Sequence, residues 1–387
     1  MGRAVLGSLR HIATETDPTL RVVRALHSKV SAAAQGLSLL NDPSGTSSLA
    51  KPSAGSAVNA SPLVYTFGSC CVFGVAEPKS DVDFVLLTAK DASDEGPDTP
   101  SQTARGWQTQ SLAKFSAKLR SQNPTFVVEE VRRARVPVVR VKAAVSVPLS
   151  GNSDPVTSTT TMAQVKFDVT AHRRNGVRNS ALLRAYFDQC PIEARWLAMA
   201  VKAWSKRVGV NLGSPGGFIT SYGLNLLVVY YLLRHGKVRY VPIEKFRNCQ
   251  SIPPLPNGTP LELPADEEAF GALLLDWLAF YTKEFVYEEE VVTLTGRVRG
   301  AAASSSEPPS VLLRSKDLGW TREAEDQLAQ RGSEGERISY RLCIEDPYEV
   351  NLNVGRLVTP LKLDLFKRLL VAAGDNGFGV AVGQKPI

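Results

Sequence analysis

Residues 63–88, LVYTFGSCCVFGVAEPKSDVDFVLLT, constrain what this chain can fold into more than any other stretch. Leu63 to Phe67 reads as an apolar strand, Gly68 and Ser69 as a turn, the path through Gly74 as a loop, and the remainder as a second apolar strand containing Asp81 and Asp83. Side chains alternate along a strand, so the two carboxylates share one face while Val82 and Phe84 point to the other. Two like charges about 4 Å apart repel by roughly 4 kcal/mol at an effective dielectric near 20. A hard divalent cation removes that cost, and Mg²⁺ binds through one or two carboxylates plus substrate phosphates. An Asp-x-Asp strand beside a Gly-Ser turn able to cradle phosphate therefore suggests metal-assisted nucleotide chemistry. A solvated strand end would carry the same two acids, and the dipeptide spacing by itself does not separate the readings.

A chain of 387 residues is long enough for two hydrophobic cores. Its net charge of +7 and pI of about 9.1 permit a polyanionic partner without requiring one. The five cysteines, Cys70, Cys71, Cys190, Cys249 and Cys343, form no Cys-x-x-Cys pair and read as reduced thiols of an intracellular protein, without structural zinc. The longest apolar run, around Leu226 to Leu233, is far short of the ~20 residues that span a bilayer, so a soluble protein with no membrane partner is expected.

Along the chain, Arg3 and Arg10 with a single acid, Glu15, suit a mitochondrial targeting segment as well as an ordinary exposed terminus. Asp17-Pro18 starts a helix whose stripe, Leu20, Val23, Leu26 and Val30, needs a partner surface. Residues 41–61 and 148–161 read as low-complexity loops, 89–106 as a polar loop, and 112–119 as helix. Valine-rich alternation predicts strands over 125–131, 136–147 and 162–169, the last holding Asp168, and a further strand over 291–298. From residue 176 the pattern becomes helical. Asn179-Ser180 has the composition of an N-cap pair. Leu197, Val201, Trp204 and Val208 form a core stripe with Lys202 and Lys206 one turn apart beside it, a pair whose repulsion a bound anion would offset. Ser221 and Tyr222 begin a buried helix, Asp266 caps another, and Thr359-Pro360 starts the last one, ending at Gly374.

The order Gly68-Ser69, Gly74, Asp81-Val82-Asp83 resembles the nucleotidyltransferase signature of the polymerase-beta superfamily, in which a third carboxylate follows later. Four residues, Cys70 to Phe73, stand where poly(A) polymerases usually have three. The resemblance extends over 162–372 and is nearest to the kinetoplastid terminal uridylyltransferases of the noncanonical poly(A) polymerase branch. It implies that Asp168 is the third acid, and that Asp81, Asp83 and Asp168 are catalytic and hold two Mg²⁺ or Mn²⁺ ions. It further implies UTP contacts from Gly68, Ser69, Asn179, Ser180, Lys202, Lys206, Ser221, Tyr222, Asp346 and Glu349. In this reading the lysines meet the β and γ phosphates, Tyr222 stacks on the base, and Asp346 with Glu349 holds a water against the uracil edge. Some uridylyl enzymes place a histidine three residues after that glutamate; Leu352 stands there.

The fold expected is α/β, in its α+β form. A palm-like mixed-sheet catalytic domain (41–175, with an insertion within 90–160) joins a mostly helical, poly(A)-polymerase-associated nucleotide-binding domain (176–387). The N-terminal helix (1–40) is expected to pack on the C-terminal domain, beside the final helix, and the active site lies in the cleft between the lobes. The implied reaction is template-independent addition of UMP from UTP to an RNA 3′-hydroxyl, in a monomeric enzyme of mitochondrial or else cytoplasmic location. RNA is expected to bind through its backbone, with an editosome-like complex as a further partner. A noncanonical poly(A) polymerase using ATP is the nearest rival. A catalytically inactive RNA-binding subunit is a rival of another class, against which the three acids stand.

Overall fold

The computed structural model describes residues 1–14, 16–37, 39, 61–74, 81–96, 102–134, 136–148, 160–211, 218–255, 261–295, 312–313, 318–330, 338–349 and 351–378. The loops expected over 41–61 and 148–161 lie for the most part outside them. Helix α1 (Gly2–Thr14) and helix α2 (Thr16–Ala34) open the chain. Then come β1 (Leu63–Phe67), the one-turn helix α3 (Ser69–Phe73), β2 (Val82–Leu87), α4 (Ala89–Ser93) and α5 (Gln102–Gln122). Strands β3 (Val127–Val131), β4 (Val138–Pro148) and β5 (Thr160–Ala171) complete a five-stranded sheet in the order β1-β2-β5-β4-β3. Only β2 and β5 run parallel; the other neighbours are antiparallel.

Alternation sorts the sheet into two faces. On one, Phe84, Val139, Val141, Phe167 and Val169 pack with Leu20, Val23, Leu26 and Val30 of α2 and with Leu112, Phe115 and Leu119 of α5. Each such side chain, fully buried, contributes about 1.5–3 kcal/mol. On the other, Tyr65, Val85 and Leu87 pack with Ala92, Val177 and Cys249. The interior strand β2 is thus covered on both sides, and Asp83 is a polar exception within an apolar run.

The chain divides into two compact units: residues 14–181 with 246–260, and residues 1–13, 182–245 and 261–387. This corrects the expectation for the N-terminal helix. The α2 stripe seals the sheet, and only α1 belongs to the helical unit, where Val5, Leu6 and Leu9 are buried and Arg3 pairs with Glu267 at 2.7 Å. Residues 246–260 return to the sheet unit, where Pro254 O accepts from Thr66 N and Oγ1 at 2.8 and 2.7 Å.

Two further expectations change. The polar loop over 89–106 contains α4 and the first turn of α5. Thr88 and Asp91 cap α4 reciprocally, a signal present in the sequence as Thr-x-x-Asp. Helix α6 (Asn175–Phe187) begins four residues before Asn179, so Asn179 and Ser180 sit inside it, not at its cap.

In the helical unit, α7 (Pro191–Arg207) starts with proline at its first position, and α8 (Ser221–Arg234) is buried from Gly223 to Leu233. Apolar on every side, α8 is the helix around which this unit packs. Asp266 caps α9 (Glu267–Ala279) by accepting from Glu268 N and Ala269 N, both at 2.9 Å. A two-residue ladder joins β6 (Glu290–Val291) to β7 (Leu312–Leu313), followed by α10 (Arg322–Gln330) and α11 (Pro360–Asn376). Helix α11 runs two residues past the expected end, and Trp204 packs on Trp277 and Phe366 with ring centroids 6.3 Å apart in each case.

Of the strand expected over 291–298, residues 296–298 lie outside the described residues, and over 291–295 the structure keeps Val291 in β6 and one bridge, Val292 to Ile344. Its threonines serve another purpose: Thr293 and Thr295 donate their hydroxyls to the buried Glu345 at 2.6 and 2.9 Å. Among the described residues no helix is long and apolar enough to cross a membrane.

Candidate active site

The acids are placed by strand register. Asp83 lies opposite Phe67 on β1 and opposite Asp168 on β5, while Asp81 is exposed one residue before β2 begins. Gly68 follows β1 with φ of 79°, and a Cβ on it would collide with the Asp83 carboxylate. The Gly68 N–H donates to Ser180 Oγ at 2.9 Å, and that hydroxyl donates to Gly176 O at 2.7 Å, so α6 fixes the turn. Cys71 N and Val72 N donate to Gly68 O at 3.1 and 3.0 Å, and Gly74, left-handed with φ of 66°, closes the turn of helix on Cys70 O. The four residues between Ser69 and Gly74 are therefore one helical turn, which absorbs the extra residue.

Asp83 and Asp168 are half-buried. Arg140 stands opposite Asp168 on β4, with Nε 3.4 Å from Oδ1. Burial pushes the Asp168 carboxyl above the usual range, Arg140 opposes this, and the charges of Asp81 and Glu129 add to the rise. Among the described residues no group of three or more His, Cys, Asp or Glu side chains is placed to hold a metal ion. The facing pair Asp83 and Asp168 suits Mg²⁺, which binds through one or two carboxylates, keeps several waters and completes its shell with substrate phosphate.

The helical unit carries its own cluster. On α7, Lys202 is buried at 5 % exposure, whereas Lys206 is exposed, so the two do not share one solvated face. At the head of α8, Thr220 Oγ1 accepts from Gly223 N at 3.1 Å and Ser221 Oγ accepts from Asn211 Nδ2 at 2.7 Å. Tyr222 donates its hydroxyl to Asp346 Oδ2 at 3.1 Å. Asp346 Oδ1 accepts from Tyr348 N and Glu349 N at 2.9 and 2.8 Å, and Tyr348 donates its hydroxyl to Ile243 O at 2.9 Å. Burial pushes the Asp346 carboxyl up, the two turn amides oppose that, and the charge of Glu349 adds to it. Burial also holds the Tyr222 phenol well above its ordinary value, so it is a neutral donor. The result is a buried carboxylate held by one phenol and two turn amides at the head of α8.

Two family models match this chain: the central palm domain of mitochondrial-like poly(A) RNA polymerase over residues 49–188, and the Cid1 family poly A polymerase over residues 269–352. Terminal uridylyltransferase 4 of Trypanosoma brucei brucei is 45% identical over 315 residues, covering 81% of this chain and 84% of that protein. The chain belongs to the terminal uridylyltransferase family. A solved structure of terminal uridylyl transferase 4 from Trypanosoma brucei with bound UTP and UpU is 40% identical, with a TM-score of 0.73 and 97% of each chain covered. Terminal uridylyltransferase cid1 of Schizosaccharomyces pombe is 29% identical over 251 residues, covering 59% of this chain and 52% of that protein. The protein is thus a nucleotidyltransferase with the bilobal α/β fold of the terminal uridylyltransferases.

Within this terminal uridylyltransferase, several features were not read from the sequence. Ser180 anchors Gly68, a partnership across 112 positions. The Tyr222–Asp346 bond spans 124 positions, and no local pattern announces it. Arg140 was detectable as one of the charged positions that alternate with valine in β4, but only register sets it against Asp168. Tyr222→Phe keeps the ring and deletes the donor to a buried acid, so stability should fall by about 1–3 kcal/mol. Discrimination between UTP and the other nucleotides should also fall, by roughly tenfold for each 1.4 kcal/mol of lost differential binding. Denaturant unfolding and competition between nucleotides measure the two effects. Unchanged discrimination would show that Asp346 acts only on the fold.

Proposed function

We propose that this terminal uridylyltransferase transfers UMP from UTP to the 3′-hydroxyl of RNA without a template, releasing pyrophosphate. The observation that carries the reading is the register of Asp83 against Asp168 beside the Gly68-Ser69 turn. Asp81, Asp83 and Asp168 would hold two Mg²⁺ or Mn²⁺ ions, which supply neutralisation of phosphoryl charge and activation of the attacking hydroxyl when bound. Ser69 offers a hydroxyl, and Lys202 and Lys206 offer cationic donors, to the triphosphate. Tyr222 presents a ring for stacking on the base, while Asp346, positioned by Tyr348 N and Glu349 N, sets the acceptor pattern at its edge. Two supports favour uridine: the Tyr222–Asp346 pair, and a 45% identical relative named as a terminal uridylyltransferase.

The same reading includes a monomeric enzyme acting in mitochondrial RNA processing or editing, recruited by an editosome-like complex. The mitochondrial-like description of the matching palm family supports that location. Incubating the protein with labelled RNA, Mg²⁺ and each nucleoside triphosphate separately tests the reaction. UMP addition that stops on chelation is expected. Preferential AMP addition would make the protein a poly(A) polymerase instead.

A further inference from the structure

The sheet face that bears Asp83 and Asp168 is covered over β1 and β2 by Ala92, Val177 and Cys249. Farther across, over β5, β4 and β3, most residues on this face are exposed, the acid Glu129 opposite Arg140 among them, while Asp168 and Ala144 are half-buried, and register reveals an ordered surface. Beside the Asp168–Arg140 pair, two residues along each strand, Lys166 lies directly opposite Lys142. Both lysines are exposed, and among the described residues neither has a carboxylate within ion-pair reach. Two residues farther is Gln164 opposite Ala144, and then Met162 opposite Ser146. Val127 stands opposite Lys142 on the outer side. Val127 is 64% exposed and Met162 is 62% exposed, apolar surface interleaved with the cations.

Like charges set directly opposite across two strands destabilise a sheet. An extended polyanion laid over them reverses the sign of that term. The surface also has direction: at about 3.3 Å per residue it runs about 20 Å from Asp168 to Met162, starting at a carboxylate of the transfer site. Backbone-tracking cations with apolar contacts between them are what a sequence-independent single-strand surface requires. Gln164 and Ser146 add groups able to bond ribose hydroxyls.

We infer that the open β3–β4–β5 face, centred on Lys142 and Lys166, binds the phosphodiester backbone of single-stranded RNA upstream of the 3′ end being extended. This rests on the uridylyl-transfer reading above and adds the path of its substrate. Neither lysine belongs to the nucleotide or acid clusters, so the path is separable from the chemistry.

The test compares extension of a uridine dinucleotide with extension of a 20-nucleotide unstructured RNA, by wild type and by the double variant Lys142→Gln/Lys166→Gln. For the long RNA, KM should rise about tenfold or more. The slope of log KM against log salt should fall by about 1.4, at about 0.7 for each lost phosphate contact on a single strand. Dinucleotide extension and the KM for UTP should be unchanged. The thermal midpoint should hold or rise, because the variant removes a repulsion. The double variant Lys142→Arg/Lys166→Arg should restore long-RNA extension. An unchanged KM and salt slope for the long RNA would overturn the proposal and leave these lysines to another partner. Failure of the wild type to add any nucleotide to either RNA would instead overturn the transferase reading.

Discussion

Asp83→Asn should lower nucleotidyl transfer by at least about 10²–10³-fold, the range seen when a single charge-stabilising group is removed from a transition state, while the protein stays folded. Asparagine has nearly the shape of aspartate, so it fits beneath Gly68 and leaves the register with Phe67 and Asp168 intact. What it removes is charge. Asp83 and Asp168 are directly opposite on neighbouring strands, an arrangement that costs up to about 1 kcal/mol when both are ionised. The same substitution should therefore raise the thermal midpoint by up to about 2–4 °C for a unit of this size. Loss of activity together with a gain in stability separates a functional charge from a structural one. A variant with near wild-type transfer would remove Asp83 from the reaction.

How much of this was legible beforehand follows from the range over which each signal acts. The acid-bearing strands were readable because apolar alternation and the Gly-Ser turn are local, and so were α7 and α8, whose apolar residues recur at helical spacing. The destination of α2 was not. Leu20, Val23, Leu26 and Val30 announce a buried stripe, but the stripe has the same composition whether it meets a sheet or a helix. Helix α4 was overlooked because it is short and polar, although its capping box stood in the sequence. The start of α6 was misplaced because Asn179 and Ser180 have cap chemistry, yet both are buried in its second turn. Valine and threonine alternation predicted a strand from residue 291, while over the described part, 291–295, the threonine hydroxyls are committed to Glu345. In the site, residue types were visible in the sequence and their couplings were not. Tyr222 with Asp346 and Gly68 with Ser180 are contacts made only by the finished fold.

Gly68→Ala should destabilise the sheet unit by about 2–6 kcal/mol, from two separate causes. At φ of 79° a side chain adds strain of order 1–3 kcal/mol, and forcing a methyl against a packed neighbour adds a similar amount. The neighbour is the Asp83 carboxylate, which must move or turn. Displacing a reacting group by about 1 Å costs roughly 10²-fold in rate, so activity should fall with stability. The causes can be separated by a double-mutant cycle with Asp83→Ala, which deletes the carboxylate and leaves the backbone strain. If the glycine is needed because the acid lies against it, the two substitutions will couple, with the double variant more stable than the sum of the singles predicts by about 0.5–3 kcal/mol. Strictly additive losses in urea unfolding would show that only the backbone angle requires glycine. Coupling would mean that the turn and the acid are one device, in which the missing Cβ of residue 68 makes the space the Asp83 carboxylate occupies.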